Sequence, residues 1–225
     1  MATRFCLEVS GDFACFTRPE MKVERVSYDI ITPSAARAIF ESILWKPAIQ
    51  WQPEKIEVLT PIRWATIRRN EVGSKLSVAN VKSAMRHGSG TVALYVEEER
   101  QQRASLLLRD VRYRITASFS MTDRAGAEEN TQKFAEMFVR RAAKGQCINQ
   151  PYLGCREFAC DFRLVDPGEE PPTIPDELRG ERELGWMLYD LDFRDTNSPE
   201  PRFFQAHMKD GVVMVPLWNS EEVHG

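Results

Sequence analysis

From Arg4 to Ser10 apolar and polar positions alternate, with Phe5, Leu7 and Val9 on one side and Cys6, Glu8 and Ser10 on the other. A period of two predicts a strand with one buried face. After a loop rich in charge and proline, Thr32-Pro33 reads as an N-cap and first helical position. Ala36, Ile39, Phe40 and Ile43 then recur at helical spacing, and Pro47 predicts an end near Trp45 or Lys46. Ala48–Trp51 and Lys55–Trp64 have strand character, and Val92–Val96 predicts a further strand. In Asp110–Thr122, Val111, Tyr113, Ile115, Ala117 and Phe119 share one side. A second helix is predicted over about Arg124–Ala143, with Phe134, Met137, Phe138 and Ala142 as its apolar positions and Gly145 as its stop.

The segment Ile67–Gly90 breaks this pattern. It is polar, basic and punctuated by glycine, which predicts a mobile loop or a long hairpin arm on the surface. A strand at about Cys155–Val165 follows, and then Asp166–Glu181, where Pro167, Pro171, Pro172 and Pro175 forbid regular pairing. Leu184–Phe193 reads as a strand, and Arg202–Pro216 as a hairpin turning at Asp210-Gly211. The order strand–helix–strand–strand–helix–strand predicts an α+β fold. Its first part, residues 1–165, is expected to be a ferredoxin-like (RRM-like) N-terminal domain with the basic arm inserted at about 67–90. Residues 166–225 are expected to form a small C-terminal antiparallel β-sheet domain.

Composition narrows the function classes. With 43% hydrophobic and 28% charged residues the 225-residue chain can bury a core. The net charge of −3 is unevenly spread: Met1–Gly145 holds 23 basic against 17 acidic residues, and Gln146–Gly225 holds 7 against 16. A basic front and an acidic back suit a protein that holds a polyanion on one side. No apolar run is long enough to cross a membrane, and MATRFCLEVSGDF lacks the plan of a signal peptide. Five cysteines are an odd number for a disulfide framework, which points to a cytoplasmic chain with reduced thiols. Cys147, Cys155 and Cys160 have no zinc-ligand spacing, so no metal is expected there.

No P-loop, dinucleotide fingerprint, GxSxG or HExxH occurs, and His87, His207 and His224 form no recognisable triad. The candidates for chemistry are basic and polar loop residues that can fork to phosphates: Arg18, Lys22 and Arg25 after the first strand, Arg68, Arg69 and Asn70 in the arm, and Arg100 and Arg103 around Gln101-Gln102.

Six blocks carry a resemblance: FTRPEMKVERVSYD from Phe16, SAARAIFESILWKPAI from Ser34, RRNEV from Arg68, QQRASLLLRDVRY from Gln101, AGAEENTQKF from Ala125 and LGCREF from Leu153. In order and distance they resemble the Cas-five family of CRISPR subtype I-C, with weaker similarity through LGWMLYDLDF. The resemblance implies a ferredoxin-like domain followed by a β-sheet domain, and an endoribonuclease that cuts precursor CRISPR RNA in the repeat hairpin. Its chemistry would be metal-independent and cofactor-free: a 2′-hydroxyl attacks its own phosphate, aided by a base, an acid and a cation. It also implies that the protein stays on the 5′ handle among other subunits of the surveillance complex. DNA binding by the same surface is left open, and the alternative is a non-catalytic RNA-binding scaffold that caps the handle.

Family members place a Tyr or His before the Trp of the WKP block and a Lys-His pair in the second helix. Lys133 matches the lysine, where it would stabilise phosphate charge. Leu44 and Phe134 stand at the other two positions, and both extend apolar helical stripes. Proton transfer would then fall to another group, with Tyr28, Tyr113 and His87 as candidates and Tyr28 the one carried forward.

Overall fold

The computed structural model describes residues 3–90, 92–195 and 197–225. Strand β1 (Arg4–Ala14) buries Phe5, Leu7 and Val9 as the alternation predicts, and continues to Ala14 because its ladder with a partner strand does not end at Ser10. A two-residue strand, β2 (Arg25–Val26), follows. Helix α1 (Pro33–Ile43) opens on Thr32, whose side chain accepts the Ala35 N–H at 3.3 Å, and buries Ala36, Ile39, Phe40 and Ile43. It stops at Leu44, a little before the expected end, because Leu44 is already extended (φ −143°) ahead of Pro47.

The two strands expected at 48–51 and 55–64 are one, β3 (Ile49–Val58). The register shifts between Pro53 and Lys55, where proline has no N–H to give the ladder. Trp64 opens the next strand, β4 (Trp64–Val72). The arm is a hairpin: β4 pairs with β5 (Arg100–Met121), and helix α2 (Val78–His87), capped by Ser77, lies in its tip with no buried residue. The strand expected at Val92–Val96 is absent. Residues 92–94 have no regular structure and Tyr95 starts a turn, since β5 already takes β4 as its neighbour.

β5 runs through both arm and body. Its first half pairs with β4 and its second with β1 and β3, and Asp110 between them has φ +52°. Helix α3 (Thr131–Ala142) begins later than Arg124, because Asn130 supplies the cap: its Oδ1 accepts the Lys133 N–H at 2.9 Å. β6 (Asp161–Leu164) is shorter than expected, since Cys155–Phe158 form a turn before it. β7 (Glu181–Asp192), β8 (Glu200–Lys209), β9 (Val212–Met214) and β10 (Val223–His224) complete the chain. The hairpin between β8 and β9 turns at Asp210-Gly211, both at positive φ (+48° and +74°), which the tight primed turn requires.

Strands β3, β5, β1 and β6 lie side by side in that order, each antiparallel to the next. α1 links β1 to β3 and α3 links β5 to β6, so each helix crosses one intervening strand. β9 pairs with β3, so strands from beyond residue 165 continue the same sheet. Rings fill the space between helices and sheet. Trp51 lies 4.7 Å from Phe138, 5.0 Å from Phe40, 5.1 Å from Phe119 and 5.7 Å from Phe5, and Phe40 stacks on Phe138.

The other face of the sheet is polar and clasped by charge. Glu8 sits opposite Arg114 on β5 and Arg163 on β6 and pairs with both, at 3.2 and 2.7 Å, and with Arg112. Glu169, in the proline-rich strap after β6, reaches Arg114 at 2.6 Å and Arg163 at 2.8 Å. The hydrogen bond from Arg163, against a smaller cost of burial, holds the Glu169 carboxyl at about 2, below its ordinary 4.5. A depressed carboxyl stabilises the folded form above its unfolded pKa and loses that contribution as pH falls through the folded value. The Glu169 backbone N–H, which donates to the Asp166 carbonyl at 3.0 Å, should therefore lose protection relative to its intrinsic exchange rate as pH is lowered from 4.5 towards 2, before the core opens. Exchange in the strap that keeps pace with the core over that window would refute the clasp.

Candidate nucleic-acid interface

The base of the arm gathers charges from four separate segments. Arg69 on β4 and Arg103 on β5 are cross-strand partners, a like-charge pairing that costs stability unless compensated. Glu71 compensates it: its carboxylate pairs with Arg69 at 3.0 Å, Arg103 at 3.3 Å and Arg25 at 3.6 Å. Glu157, in the loop before β6, pairs with Arg25 at 3.2 Å and with Arg69. Against a cost of burial, its own backbone amide and the Arg69 and Arg25 guanidiniums hold the Glu157 carboxyl below the usual range. Three guanidiniums thus face two carboxylates, and the Glu157 pairs fasten the arm to the body.

The seven residues expected to touch RNA thus divide. Arg25, Arg69 and Arg103 are joined in this cluster. Arg18 is held elsewhere, 3.4 Å from Asp29 and with its guanidinium 4.5 Å from the centre of the Tyr28 ring. Lys22, Arg68 and Asn70 are exposed; on β4, Arg68 and Asn70 alternate with the half-buried Arg69 and Glu71 and face solvent. Among the described residues neither Lys22 nor Arg68 has an ion-pair partner, so both are free to meet a phosphate.

Cys155 belongs to the same cluster. Its Sγ is 3.3 Å from Arg25 Nη1 and 3.6 Å from the Cys15 carbonyl oxygen. A hydrogen bond with the Cys15 thiol and the charge of Arg25 outweigh burial and Glu157 and bring it to about 6. All five cysteines are free thiols.

The catalytic candidates lie in different surroundings. Lys133 is exposed in the first turn of α3, where unpaired backbone N–H groups and the positive end of the helix favour an anion. Leu44 and Phe134 are 0% and 1% exposed and belong to the core, Phe134 on the buried face of α3 and Leu44 just past the end of α1. Tyr28 is 1% exposed; burial raises its pKa, against a hydrogen bond that its oxygen accepts from the Leu188 backbone N–H. Tyr113 is also enclosed, with its pKa raised by burial. His87, on the exposed α2, holds its Nδ1 2.8 Å from the Ser83 carbonyl. Among the described residues no group of three or more His, Cys, Asp or Glu is arranged to hold a metal ion.

Sequence reasoning passed over a cleft of about 540 Å³ between the end of α1, the start of β3 and β7, with Trp45 and Lys46 at its rim. The available signal was that Trp45 follows the buried positions Ile39, Phe40, Ile43 and Leu44, at the point where Pro47 stops the helix from turning it inward.

Comparison with known proteins places this arrangement. A chain from Mannheimia succiniciproducens, named CRISPR pre-crRNA endoribonuclease Cas5d, is 53% identical over 226 residues and is matched over 99% of both chains. One of the same name from Thermus thermophilus is 38% identical, over 98% of this chain and 95% of its own. A solved structure described as a CRISPR-associated protein superposes with a TM-score of 0.71 at 20% identity, over 100% of this chain and 97% of that one. A chain of a CRISPR RNA-guided surveillance complex gives 0.52 at 15% identity, over 88% and 86%. The family model described as CRISPR-associated protein (Cas_Cas5) matches residues 5–216, and the chain belongs to that Cas5 family.

Proposed function

We propose that this chain cuts precursor CRISPR RNA within the repeat hairpin, needs no metal to do so, and then remains on the 5′ handle beside the other subunits of a surveillance complex. The observation that carries the reading is full-length 53% identity to a protein named as a pre-crRNA endoribonuclease. In the step proposed, a ribose 2′-oxygen attacks the adjoining phosphorus and the 5′-oxygen leaves, giving a 2′,3′-cyclic phosphate and a 5′-hydroxyl. Lys133, at the positive end of α3, is the group assigned to the charge that gathers on the phosphoryl oxygens. Lys22, Arg68 and Asn70 contact the RNA directly, while Arg25, Arg69 and Arg103, paired with Glu71 and Glu157, hold the arm in place beside it. Stem recognition rests on shape and phosphate contacts, because the deep groove of A-form RNA is closed to side chains.

Tyr28 does not keep its proposed proton-transfer role without an opening of the core, since its phenol is enclosed. That observation favours a second reading, in which the chain holds and caps the 5′ handle with little cutting: neither Leu44 nor Phe134 can move a proton. Duplex DNA is a further polyanion that the same basic surface would attract. Five free thiols suit the reducing cytoplasm, where we place the protein. The test is to incubate the protein with the repeat RNA of its own array. Cut RNA supports the first reading, RNA retained intact leaves the second, and RNA neither held nor cut removes both.

A further inference from the structure

An indole stands open at the cleft beside α1. Trp45 is 55% exposed, directly after the buried Ile43 and Leu44 that end α1. Across the cleft stand Phe193, 54% exposed, and Trp218. Trp218 is already occupied: it packs 5.7 Å from Tyr189 and has the Arg202 guanidinium 5.6 Å from its ring centre. Among the described residues no aromatic ring or cation covers Trp45.

The charges around the cleft are arranged to match. All three carboxylates in its wall are engaged: Arg37 takes Asp190 at 2.6 and 3.0 Å and Glu41 at 2.7 Å, and Arg194 takes Asp192 at 2.7 Å. Lys46 and Arg124 line the same cleft and have no carboxylate partner among the described residues. What remains on offer is an open indole face, a second aromatic wall and two unpaired cations, in a space of small-ligand size. An apolar ligand would leave the cations unused, and a simple anion would leave the indole unused. An unpaired nucleotide uses both, because every base has a face to stack and each of its flanking phosphates carries a charge.

We propose that this cleft holds one single-stranded nucleotide of the bound RNA, its base stacked on Trp45 and its flanking phosphates met by Lys46 and Arg124. The proposal rests on the RNA reading given above. It makes Trp45 a positioning residue: by fixing one nucleotide outside the stem it sets the register of the hairpin on the protein.

The test uses repeat RNA carrying 2-aminopurine at one unpaired position at a time. At one position fluorescence should be quenched on binding, and Trp45→Ala should abolish that quench and weaken binding by about 5- to 150-fold, the range for loss of one stacked base. Trp45→Phe should restore most of the affinity. Arg124→Ala should weaken binding and flatten its dependence on salt. Should Trp45→Ala fail to fold, Trp45→Gln and Arg124→Ala carry the same comparison. Wild-type affinity with the quench intact in Trp45→Ala overturns the proposal and leaves the RNA reading standing. Unchanged RNA binding with lost capture of another complex subunit also overturns it and makes the cleft a protein contact. A wild-type chain that binds no repeat RNA fails the RNA reading first.

Discussion

Replacing Trp51 by alanine should cost about 3–5 kcal/mol of folding stability, the range for removing a large ring from a packed core. Trp51 is 2% exposed and touches rings from four different elements: Phe5 of β1, Phe40 of α1, Phe119 of β5 and Phe138 of α3. Because these rings tie both helices to the sheet, the space left cannot close by a shift of one neighbour. The indole N–H also donates to the Leu44 carbonyl at 2.9 Å, an acceptor at the end of α1 that is otherwise buried. That bond fixes the helix end bearing Trp45 and Lys46, so the loss reaches the cleft as well as the core. Trp51→Phe keeps a ring and should lose less, giving up the hydrogen bond, worth about 0.5–1.5 kcal/mol, and part of the packing. Equilibrium denaturation in urea measures both. A Trp51→Ala variant within 1 kcal/mol of the parent would mean, on the same scale, that this ring cluster is not the centre of the core.

Replacing Lys133 by alanine should slow cutting of the repeat by about 10²- to 10³-fold, the usual loss when one group aimed at transition-state charge is removed. Affinity should change far less, because many phosphate contacts share the binding and only one is assigned to the reacting phosphate. The side chain is exposed and rises from the first turn of α3, whose free N–H groups add their own positive field. Removing the side chain leaves the helix intact, since the cap is made by the Lys133 backbone N–H to Asn130. Lys133→Arg keeps the charge and should retain part of the rate. Single-turnover cleavage with protein in excess separates rate from binding. A Lys133→Ala rate within twofold of the parent would remove Lys133 from the chemistry.

Local patterns revealed those parts of the fold that depend on local physics. The alternation in β1, the Thr32-Pro33 start of α1 and the Asp210-Gly211 turn each follow from a few neighbouring residues, and each is found where it was expected. The arm was harder, because β4 alternates exposed with half-buried residues and has no apolar face for periodicity to reveal. Val92–Val96 carries a strand-like pattern without a free neighbour to pair with, and so forms none. The ladder between β3 and β9 joins residues 55–57 to 212–214, a pairing to which no local signal refers.

The candidate site divides in the same way. Residue types named the basic positions, but not that Glu71 and Glu157 would hold Arg25, Arg69 and Arg103 together from distant parts of the chain. Tyr28 lies between Ser27 and Asp29 in a loop rich in charge and proline, and tertiary packing encloses it. Phe134 was legible as core from helical spacing, because the packing of α3 obeys it; Leu44 is buried as well, although it lies in extended backbone just past α1.

The most direct measurement is cleavage of the array's own repeat RNA by purified protein in excess EDTA, with the new ends analysed. A proton-transfer and charge-stabilisation mechanism predicts an unchanged rate, one cut in the hairpin, a 5′-hydroxyl on one fragment and a cyclic phosphate on the other. RNA that stays bound and whole under those conditions, and is cut only when a divalent cation is restored, would contradict it.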